Sequence, residues 1–399
     1  MMRMNPRFSI VIPTRNGMPY LRHAVESVLI SKRKDFELVV SVNGSTDDSN
    51  EFLSTIRDSR LRIITPHEEL QMSQHYEFAI LNSKGDWVQV LGSDDGLQAW
   101  YFEVADELIS KFPRIDIFSW SRAYYYWPDS NSKEDNRAVD VKFSKRIREK
   151  SFNTSYFETL LSIKSIFDLP QTYTCTLVSR SLIDAIRIKL GGKFFHSIIP
   201  DVYSGICLLM NQNKYLHSHY PLTWVGTSPK SMSRDNKIYN EFSNSHRVDS
   251  ITLASRINQS IHASEYSPYY LLEALCQYPL AGAKRSFLLH SFQAATLTAA
   301  IIRRQWKHVL SLMRPNFQND LKPIFSMSII LPLSLLLLAS YGPARLISRI
   351  FRKVHNLLRF NSEATFRAVQ NGDFVGYIAL NAHISLFLSR KGIIADSLK

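Results

Sequence analysis

Short apolar runs alternate with helical patterns over about the first hundred residues of the chain. The runs are rich in β-branched residues and bounded by turn-forming residues, which is typical of buried strands; they cover residues 8–12, 36–42, 61–65 and 87–91. Apolar positions at helical spacing predict helices from Pro19, over 70–81 and over 97–109. Strands and helices in alternation form right-handed crossover units. The pattern therefore predicts an α/β fold with a mostly parallel sheet covered on both faces.

The loops at the carboxyl ends of the strands are where such a sheet binds its ligands. No Gly-x-Gly-x-x-Gly motif follows these strands and no Gly-Lys-Ser/Thr loop occurs, which disfavours dinucleotide-binding and P-loop proteins. The loop after the fourth strand instead contains Ser93, Asp94 and Asp95. Paired carboxylates in this position suit a hard divalent cation. The alternative is a plain turn, because Asp and Gly are common turn residues.

Four short segments form an ordered series: Ile-Pro-Thr-Arg-Asn at 12–16, Val-Asn-Gly-Ser-Thr-Asp-Asp-Ser at 42–49, Lys-Gly-Asp-Trp-Val at 84–88 and Ser-Asp-Asp at 93–95. In order and approximate spacing they resemble the signature blocks of family 2 glycosyltransferases. The resemblance covers residues 8 to about 235 and weakens after Asp95. It implies a GT-A domain, which is Rossmann-like with a mostly parallel sheet, followed by a helical C-terminal region.

The resemblance also implies a reaction. An enzyme of this kind transfers a sugar from a nucleotide-diphosphate sugar, here a UDP-sugar in the first place, to a hydroxyl of a saccharide or lipid-linked saccharide acceptor, and inverts the anomeric carbon. The departing diphosphate accumulates negative charge, which Mg²⁺ or Mn²⁺ held by a carboxylate neutralises. The acceptor hydroxyl must lose a proton to a general base. Cell-surface polysaccharide or glycolipid synthesis is the implied setting.

The resemblance places a set of residues around the donor at the ends of three strands: Pro13, Thr14, Arg15, Asn43, Asp47, Ser93 and Asp94. Asp94 matches the last Asp of the family's Asp-x-Asp motif, the usual metal ligand, and Asp95 lies beside it. Both are therefore expected to hold the Mg²⁺ or Mn²⁺ ion. Gly92 stands where many members carry the first Asp of that motif.

A later segment, Ile-Ile-Pro-Asp-Val-Tyr-Ser at 198–204, resembles the block in which an Asp opens a helix below the acceptor site. Pro200 replaces a common Glu there, and Asp201 matches the catalytic base. The alternative is a helix N-cap, since Asp before an apolar helical run caps it well. Residues 223–231 are expected either to form a flap over the donor or to be a plain surface loop.

An aromatic run and a pair of histidines could each have either a functional or a structural role. Residues Tyr124 to Trp127 form an aromatic run that suits either stacking on a sugar ring or packing in the core. His217 and His219 lie two apart and would share one face of a strand, but no acidic partner follows nearby, so a structural role is expected.

The net charge of +13 is concentrated late in the chain. After residue 300 there are 14 Lys and Arg against 4 Asp and Glu, a net of +10. Residues 324–342 are uncharged and would form a helix roughly 28 Å long, barely enough to span a bilayer. The basic and apolar residues of 345–359 that follow favour attachment to an anionic membrane surface, rather than nucleic acid. Spanning, or burial in protein, stays open for 324–342.

Two domains are expected: a catalytic domain over 1–240 and a helical, basic, membrane-associated region over 241–399. The three cysteines are widely spaced and form no C-x-x-C pair, which suits a reducing compartment. The N-terminus has no apolar segment of signal-peptide length before Pro13. We therefore expect a cytoplasmic protein, peripheral or monotopic at the inner face of the cell membrane.

Two other functions stay open. The glycine at position 92 favours a non-catalytic, glycosyltransferase-like binding protein. A nucleotidyltransferase has a similar sheet, although the Gly-rich, Arg-containing N-terminal loop of that class is not visible.

Overall fold

The computed structural model describes residues 6–128, 137–160, 169–197, 199–230, 364–369 and 377–390, with isolated positions between 271 and 291. The strands are β1 Phe8–Thr14, β2 Phe36–Val42, β3 Leu61–Ile64, β4 Trp87–Val90, β5 Gly96–Leu97, β6 Ile117–Trp120, β7 Ala123–Tyr126, β8 Arg137–Phe143, β9 Ile147–Ser151, β10 Thr176–Ser179, β11 Lys214–Ser218, β12 Thr223–Thr227 and β13 Ala364–Val369. The helices are α1 Tyr20–Leu29, α2 Ser49–Thr55, α3 Met72–Leu81, α4 Tyr101–Lys111, α5 Phe152–Leu160, α6 Arg180–Lys189, α7 Pro200–Asn211 and, in our numbering, α8 Tyr377–Arg390.

The larger sheet has the order β3-β2-β1-β4-β10-β6-β11-β9. β1 runs parallel to β2 and β4, and β2 runs parallel to β3, so these strands end at the same edge of the sheet. β10 is antiparallel to both of its neighbours. The α/β fold with a mostly parallel sheet is confirmed, and this edge brings the loops after β1, β2 and β4 together.

The parallel strands are covered on both faces. Phe8, Ile10 and Ile12 of β1 belong to the apolar cluster that includes α1 and α4, whereas Val11 belongs to the cluster that includes α6 and α7. Alternate residues of a strand point to opposite faces. This is why the strand sequences are predominantly apolar rather than strictly alternating between apolar and polar residues.

Two local expectations differ from the structure. The predicted helix over 97–109 begins only at Tyr101, because Leu97 lies in β5 and pairs with Thr223 of β12. The turn-rich segment after β2 continues directly into the short helix α2, which the sequence pattern did not predict. The first difference arises because tertiary pairing outweighs the local preference of Leu97.

A second sheet, with the order β13-β8-β7-β12-β5, joins distant parts of the chain. β13 pairs antiparallel with β8. α8 contributes Tyr377, Leu380, Ile384 and Leu388, all fully buried, to the same apolar cluster as α1. The division at residue 240 stays a prediction, but these two later segments pack within the first domain.

The expected membrane segment, 324–342, lies outside the described residues. In the part of the chain that the structure describes, every helix is too short or too polar to cross a bilayer.

Candidate active site

Side chains join the loops that follow β1 and β2. Asp47 accepts hydrogen bonds from the backbone N–H groups of Met18, at 2.8 Å, and Ser49, at 3.1 Å. Asn16 has a φ of 53°, a left-handed conformation that asparagine tolerates better than most residues. From there its side-chain oxygen accepts from the Thr46 N–H at 2.7 Å. Asp47, predicted to bind the donor, thus fixes the relative position of the two loops.

Asn43 and Arg15 hold the same neighbouring segment. The Asn43 side chain makes two hydrogen bonds with the Leu70 backbone, donating to its carbonyl at 2.8 Å and accepting from its N–H at 2.9 Å. Arg15 forms an exposed ion pair with Glu69 at 2.9 Å. Pro13 lies opposite Ser41 in the parallel ladder. These predicted donor-site residues shape the entrance at the ends of β1 and β2.

Thr14 at the end of β1 and Ser93 in the loop after β4 both lie close to Gly17. A Cβ atom added to Gly17 would overlap the Thr14 hydroxyl and lie 3.0 Å from Cβ of Ser93. The Thr14 hydroxyl is buried and has no hydrogen-bond partner among the described residues. A buried hydroxyl without a partner is costly, so this group is available to bond to a bound ligand.

Asp94 follows β4 and is half-buried. Its Oδ2 accepts a hydrogen bond from the Ser228 hydroxyl at 2.7 Å. Ser228 belongs to the predicted flap, and Lys230 two residues later donates from Nζ to the carbonyls of Asn16, at 2.7 Å, and Met18, at 2.8 Å. The segment after β12 therefore joins the Asp94 loop to the loop after β1.

Asp95 has a different environment from its neighbour. It is 1% exposed, and its carboxylate accepts from the N–H groups of Gly92 and Gly226, both at 2.9 Å, and from the Thr174 hydroxyl. Burial, together with the charge of Asp94, raises the pKa of Asp95 to about 7. Because both Asp95 oxygens accept bonds inside the protein, the geometry favours Asp94 alone as the carboxylate for a cation.

The side chains near Asp94 can be compared with those that Mg²⁺ or Mn²⁺ needs as ligands. Among the described residues, no group of three or more His, Cys, Asp or Glu side chains gathers in one place. Mg²⁺ and Mn²⁺ can be held by one or two carboxylates together with phosphate oxygens and water. A half-buried Asp94 at the ligand-binding edge fits such an ion shared with a diphosphate.

At position 92, where the resemblance leads one to expect an acid, the space beside the glycine is occupied by a side chain from another segment. The Cβ atom of any other residue at Gly92 would overlap the hydroxyl of Tyr173 and lie 3.1 Å from Oδ1 of Asp94. Tyr173 precedes β10, so its phenol reaches across to the loop after β4.

Asp201 lies in the first turn of α7, which begins at Pro200 with Ile199 as its N-cap. Its Oδ1 accepts from the N–H of Val202 at 2.9 Å, and the side chain does not serve as the N-cap. Burial raises the pKa of Asp201, while the Val202 hydrogen bond and the positive charge of Arg122 act to lower it. A carboxylate with a raised pKa is better suited to accept a proton.

Two phenols connect Asp201 with the Asp94 loop. Burial raises the pKa of Tyr76 and Tyr173 well above the usual range, and the charges of Asp94, Asp95 and Asp201 raise both further. The two rings lie 6.4 Å apart between centroids. Asp94, the predicted metal ligand, and Asp201, the predicted base, therefore lie near the same pair of tyrosines. The sequence pattern had not indicated a role for either tyrosine.

A cavity of about 260 Å³ opens beside this region. Its wall includes Arg122, Tyr124, Gln171, Tyr173 and His217. Within the predicted aromatic run, Tyr124 lines this cavity while Tyr125 and Trp127 are buried in the core. The His217 ring forms a 3.0 Å hydrogen bond with the Ser119 hydroxyl, in keeping with the structural role expected for it. The mixture of aromatic and polar groups suits a sugar ring.

The parallel edge, the Asp94 loop and the α7 carboxylate define a GT-A type domain. Residues 9–185 match the profile of glycosyl transferase family 2. This match covers the part of the chain that carries the strands β2 to β4, most of β1 and the Asp94 loop.

Relatives with curated descriptions agree with this family. The chain is 24% identical to the glycosyltransferase GlyG of Streptococcus pneumoniae over 48% of its own length and 62% of that protein, and 27% identical to GlyA of the same organism over 48% and 27%. It thus spans less than two thirds of the length of either relative. Among solved structures, residues 1–349 of Staphylococcus aureus TarS with UDP-GlcNAc align at 15% identity over 85% of this chain and 92% of that one, with a TM-score of 0.46.

Proposed function

We propose that this protein is an inverting glycosyltransferase that moves a sugar from a nucleotide-diphosphate sugar to an acceptor hydroxyl. The observation that carries the proposal is that Tyr76 and Tyr173, whose ring centroids lie 6.4 Å apart, both feel the charges of Asp94 and Asp201. One carboxylate lies in the loop after β4 and the other in the first turn of α7. This reaction needs one carboxylate near the diphosphate and another near the acceptor.

The donor half of the site is formed by the loops after β1, β2 and β4. Asp94 would hold Mg²⁺ or Mn²⁺ against the donor diphosphate, and the buried Thr14 hydroxyl is available to bond to the nucleotide part. When bound, such an ion neutralises the charge that develops on the leaving diphosphate. Asp95 serves this half by holding Gly92 and Gly226 in place. A UDP-sugar is the first donor to test.

The acceptor half is formed by Asp201 and the neighbouring cavity. A saccharide or lipid-linked saccharide in the cavity lined by Tyr124 and Tyr173 would bring a hydroxyl to the Asp201 carboxylate. Asp201 accepts the hydroxyl proton as the oxygen attacks the anomeric carbon opposite the leaving diphosphate. One displacement inverts the configuration. Retention would require a second nucleophile.

The setting we propose is cell-surface polysaccharide or glycolipid synthesis at the inner face of the membrane. The support is the net charge of +10 after residue 300 and the mixture of basic and apolar residues over 345–359. Basic residues interleaved with apolar ones bind anionic lipid surfaces.

Replacing the proposed metal ligand tests the function directly. In Asp94→Ala, binding of UDP should no longer depend on Mn²⁺, because the ion loses its protein ligand. Isothermal titration calorimetry with UDP, with and without Mn²⁺, measures this. Asp184→Ala on α6 removes an exposed carboxylate that pairs with Arg187 and is the matched control, expected to bind as wild type.

Different outcomes separate the alternatives. Unchanged Mn²⁺-dependent affinity in Asp94→Ala would remove Asp94 from the proposed role. Wild-type protein that binds UDP-sugars but neither transfers nor hydrolyses any of them would favour the non-catalytic binding protein. Release of pyrophosphate from a nucleoside triphosphate would favour the nucleotidyltransferase.

A further inference from the structure

The first residue of α8, Tyr377, lies against the loop that carries Asp94, 283 positions earlier in the chain. Its side chain is fully buried, and its hydroxyl donates a hydrogen bond to the backbone carbonyl of Asp94. The indole Nε1 of Trp127 donates to the same oxygen at 3.1 Å. The two rings meet edge to face with centroids 5.5 Å apart. Two donors from separate elements therefore fix the peptide group that joins Asp94 to Asp95.

Two glycines leave the space that the Tyr377 ring occupies. A Cβ atom on Gly96 would lie 2.6 Å from Cγ of the ring, and one on Gly226 would lie 2.6 Å from its hydroxyl. Both separations are far below ordinary van der Waals contact, so a larger residue at either position would displace the tyrosine. The loop after β4 and strand β12 are thus shaped around this side chain.

Asn381, one turn further along α8, holds the helix in register with the same elements. Its side-chain oxygen accepts from the indole Nε1 of Trp224 in β12 at 2.7 Å. Its amide nitrogen donates to the carbonyl of Leu97 in β5 at 3.0 Å. The start of α8 is therefore tied to β5, which follows the Asp94 loop, and to β12, which pairs with β5, and this keeps the Tyr377 hydroxyl at the Asp94 carbonyl.

We propose that Tyr377 is a positioning residue of the donor site, which orients the Asp94 carboxylate toward the cation by holding the Asp94 carbonyl. The inference rests on the proposed function, in which Asp94 holds Mg²⁺ or Mn²⁺ against the donor diphosphate. A rotation of the held peptide would swing the carboxylate with it, and metal ligands must be placed to within about 0.5 Å. Trp127 alone would leave that peptide with one donor instead of two.

The test uses the full chain with Tyr377→Phe, which removes the hydroxyl and keeps the ring. Losing one hydrogen-bond donor should weaken Mn²⁺ binding to the protein–UDP complex about 3- to 10-fold, because a single such bond contributes modestly. Calorimetric titration of Mn²⁺ in the presence of UDP measures this. With a UDP-sugar donor, the KM for Mn²⁺ should rise more than kcat falls.

The matched control is Ile384→Val on the same helix. Ile384 is fully buried, so Ile384→Val should lower the free energy of unfolding about as much as Tyr377→Phe does. It should cause no change at the Asp94 carbonyl. Mn²⁺ affinity within twofold of wild type in Ile384→Val, together with the loss in Tyr377→Phe, supports the inference.

Two results would overturn it. Equal Mn²⁺ affinity in wild type and Tyr377→Phe, or an equal loss in both variants, means that α8 is a packing element only. If wild-type protein binds no UDP with Mn²⁺ at all, the proposed function fails and this inference fails with it.

Discussion

Removing α8 tests whether the end of the chain is part of the catalytic fold. A chain ending at residue 376 loses the side chains of Tyr377, Leu380, Ile384 and Leu388, each fully buried. Burying one large apolar side chain stabilises a protein by about 1.5–3 kcal/mol. Four of them contribute about 6–12 kcal/mol, which is comparable to the whole stability of about 5–15 kcal/mol typical of native proteins. We therefore expect the shortened chain to be unfolded or aggregated.

The measurement is urea unfolding followed by circular dichroism, with dye binding to report exposed apolar surface. A chain ending at residue 390 keeps α8 whole and is the matched control, expected to unfold like the full chain. Leu380→Ala gives a graded version, with an expected loss of about 2–5 kcal/mol because the site is fully buried. A chain ending at 376 that unfolds cooperatively within about 2 kcal/mol of the full protein would refute the reasoning.

Two further changes test the base and the membrane surface. Asp201→Asn should lower turnover about 10²–10⁴-fold by removing the proton acceptor, while the affinity for UDP stays near that of the wild type. Turnover within about threefold of the wild type would contradict the assignment. A loss of UDP affinity together with turnover would also contradict it. A variant with Gln in place of Arg349, Arg352 and Lys353 should bind anionic vesicles more weakly, because each basic residue contributes about 1 kcal/mol at such a surface. Unchanged sedimentation of this variant with the vesicles at low salt would mean that the protein attaches through another segment.

The edge of the sheet where β1, β2 and β4 end could be predicted because its causes are local. β1, β2 and β4 are buried on both faces, so each is predominantly apolar and ends where polar loop residues begin. The parallel pairing of β1 with β2 and β4 then brings those loops together. The ends of these strands and the polar residues that follow them can therefore be predicted from the sequence without any tertiary contact.

The second sheet could not be predicted in this way. β13 pairs with β8, and α8 places Tyr377 beside Asp94, although these segments are far apart in the chain. No pattern within a short window specifies which distant strand will pair, because register depends on the burial that the assembled sheet provides. The same cause moved Leu97 from the predicted helix into a strand.

Adjacent aspartates show a second limit of sequence patterns. Asp94 and Asp95 are identical in type and next to each other, yet one is half-buried beside Ser228 and the other is enclosed by three donors. Side-chain direction distinguishes them, and it depends on the peptide that Trp127 and Tyr377 hold. If Asp94 holds the cation as proposed, the difference between the two aspartates therefore depends in part on Tyr377, 283 positions later in the chain.

The glycine at position 92 need not mean that the site has lost its chemistry. The space beside Gly92 holds the Tyr173 hydroxyl, which also feels the charges of Asp94, Asp95 and Asp201. An acid at 92 could not be added while Tyr173 keeps this place, so the two positions have to change together. The Tyr173 phenol, whose pKa is raised well above the usual range by burial, presents a neutral hydrogen-bond donor in this place. In the proposed function, a single carboxylate, Asp94, then faces the donor diphosphate from this loop, with a phenol able to donate a hydrogen bond beside it.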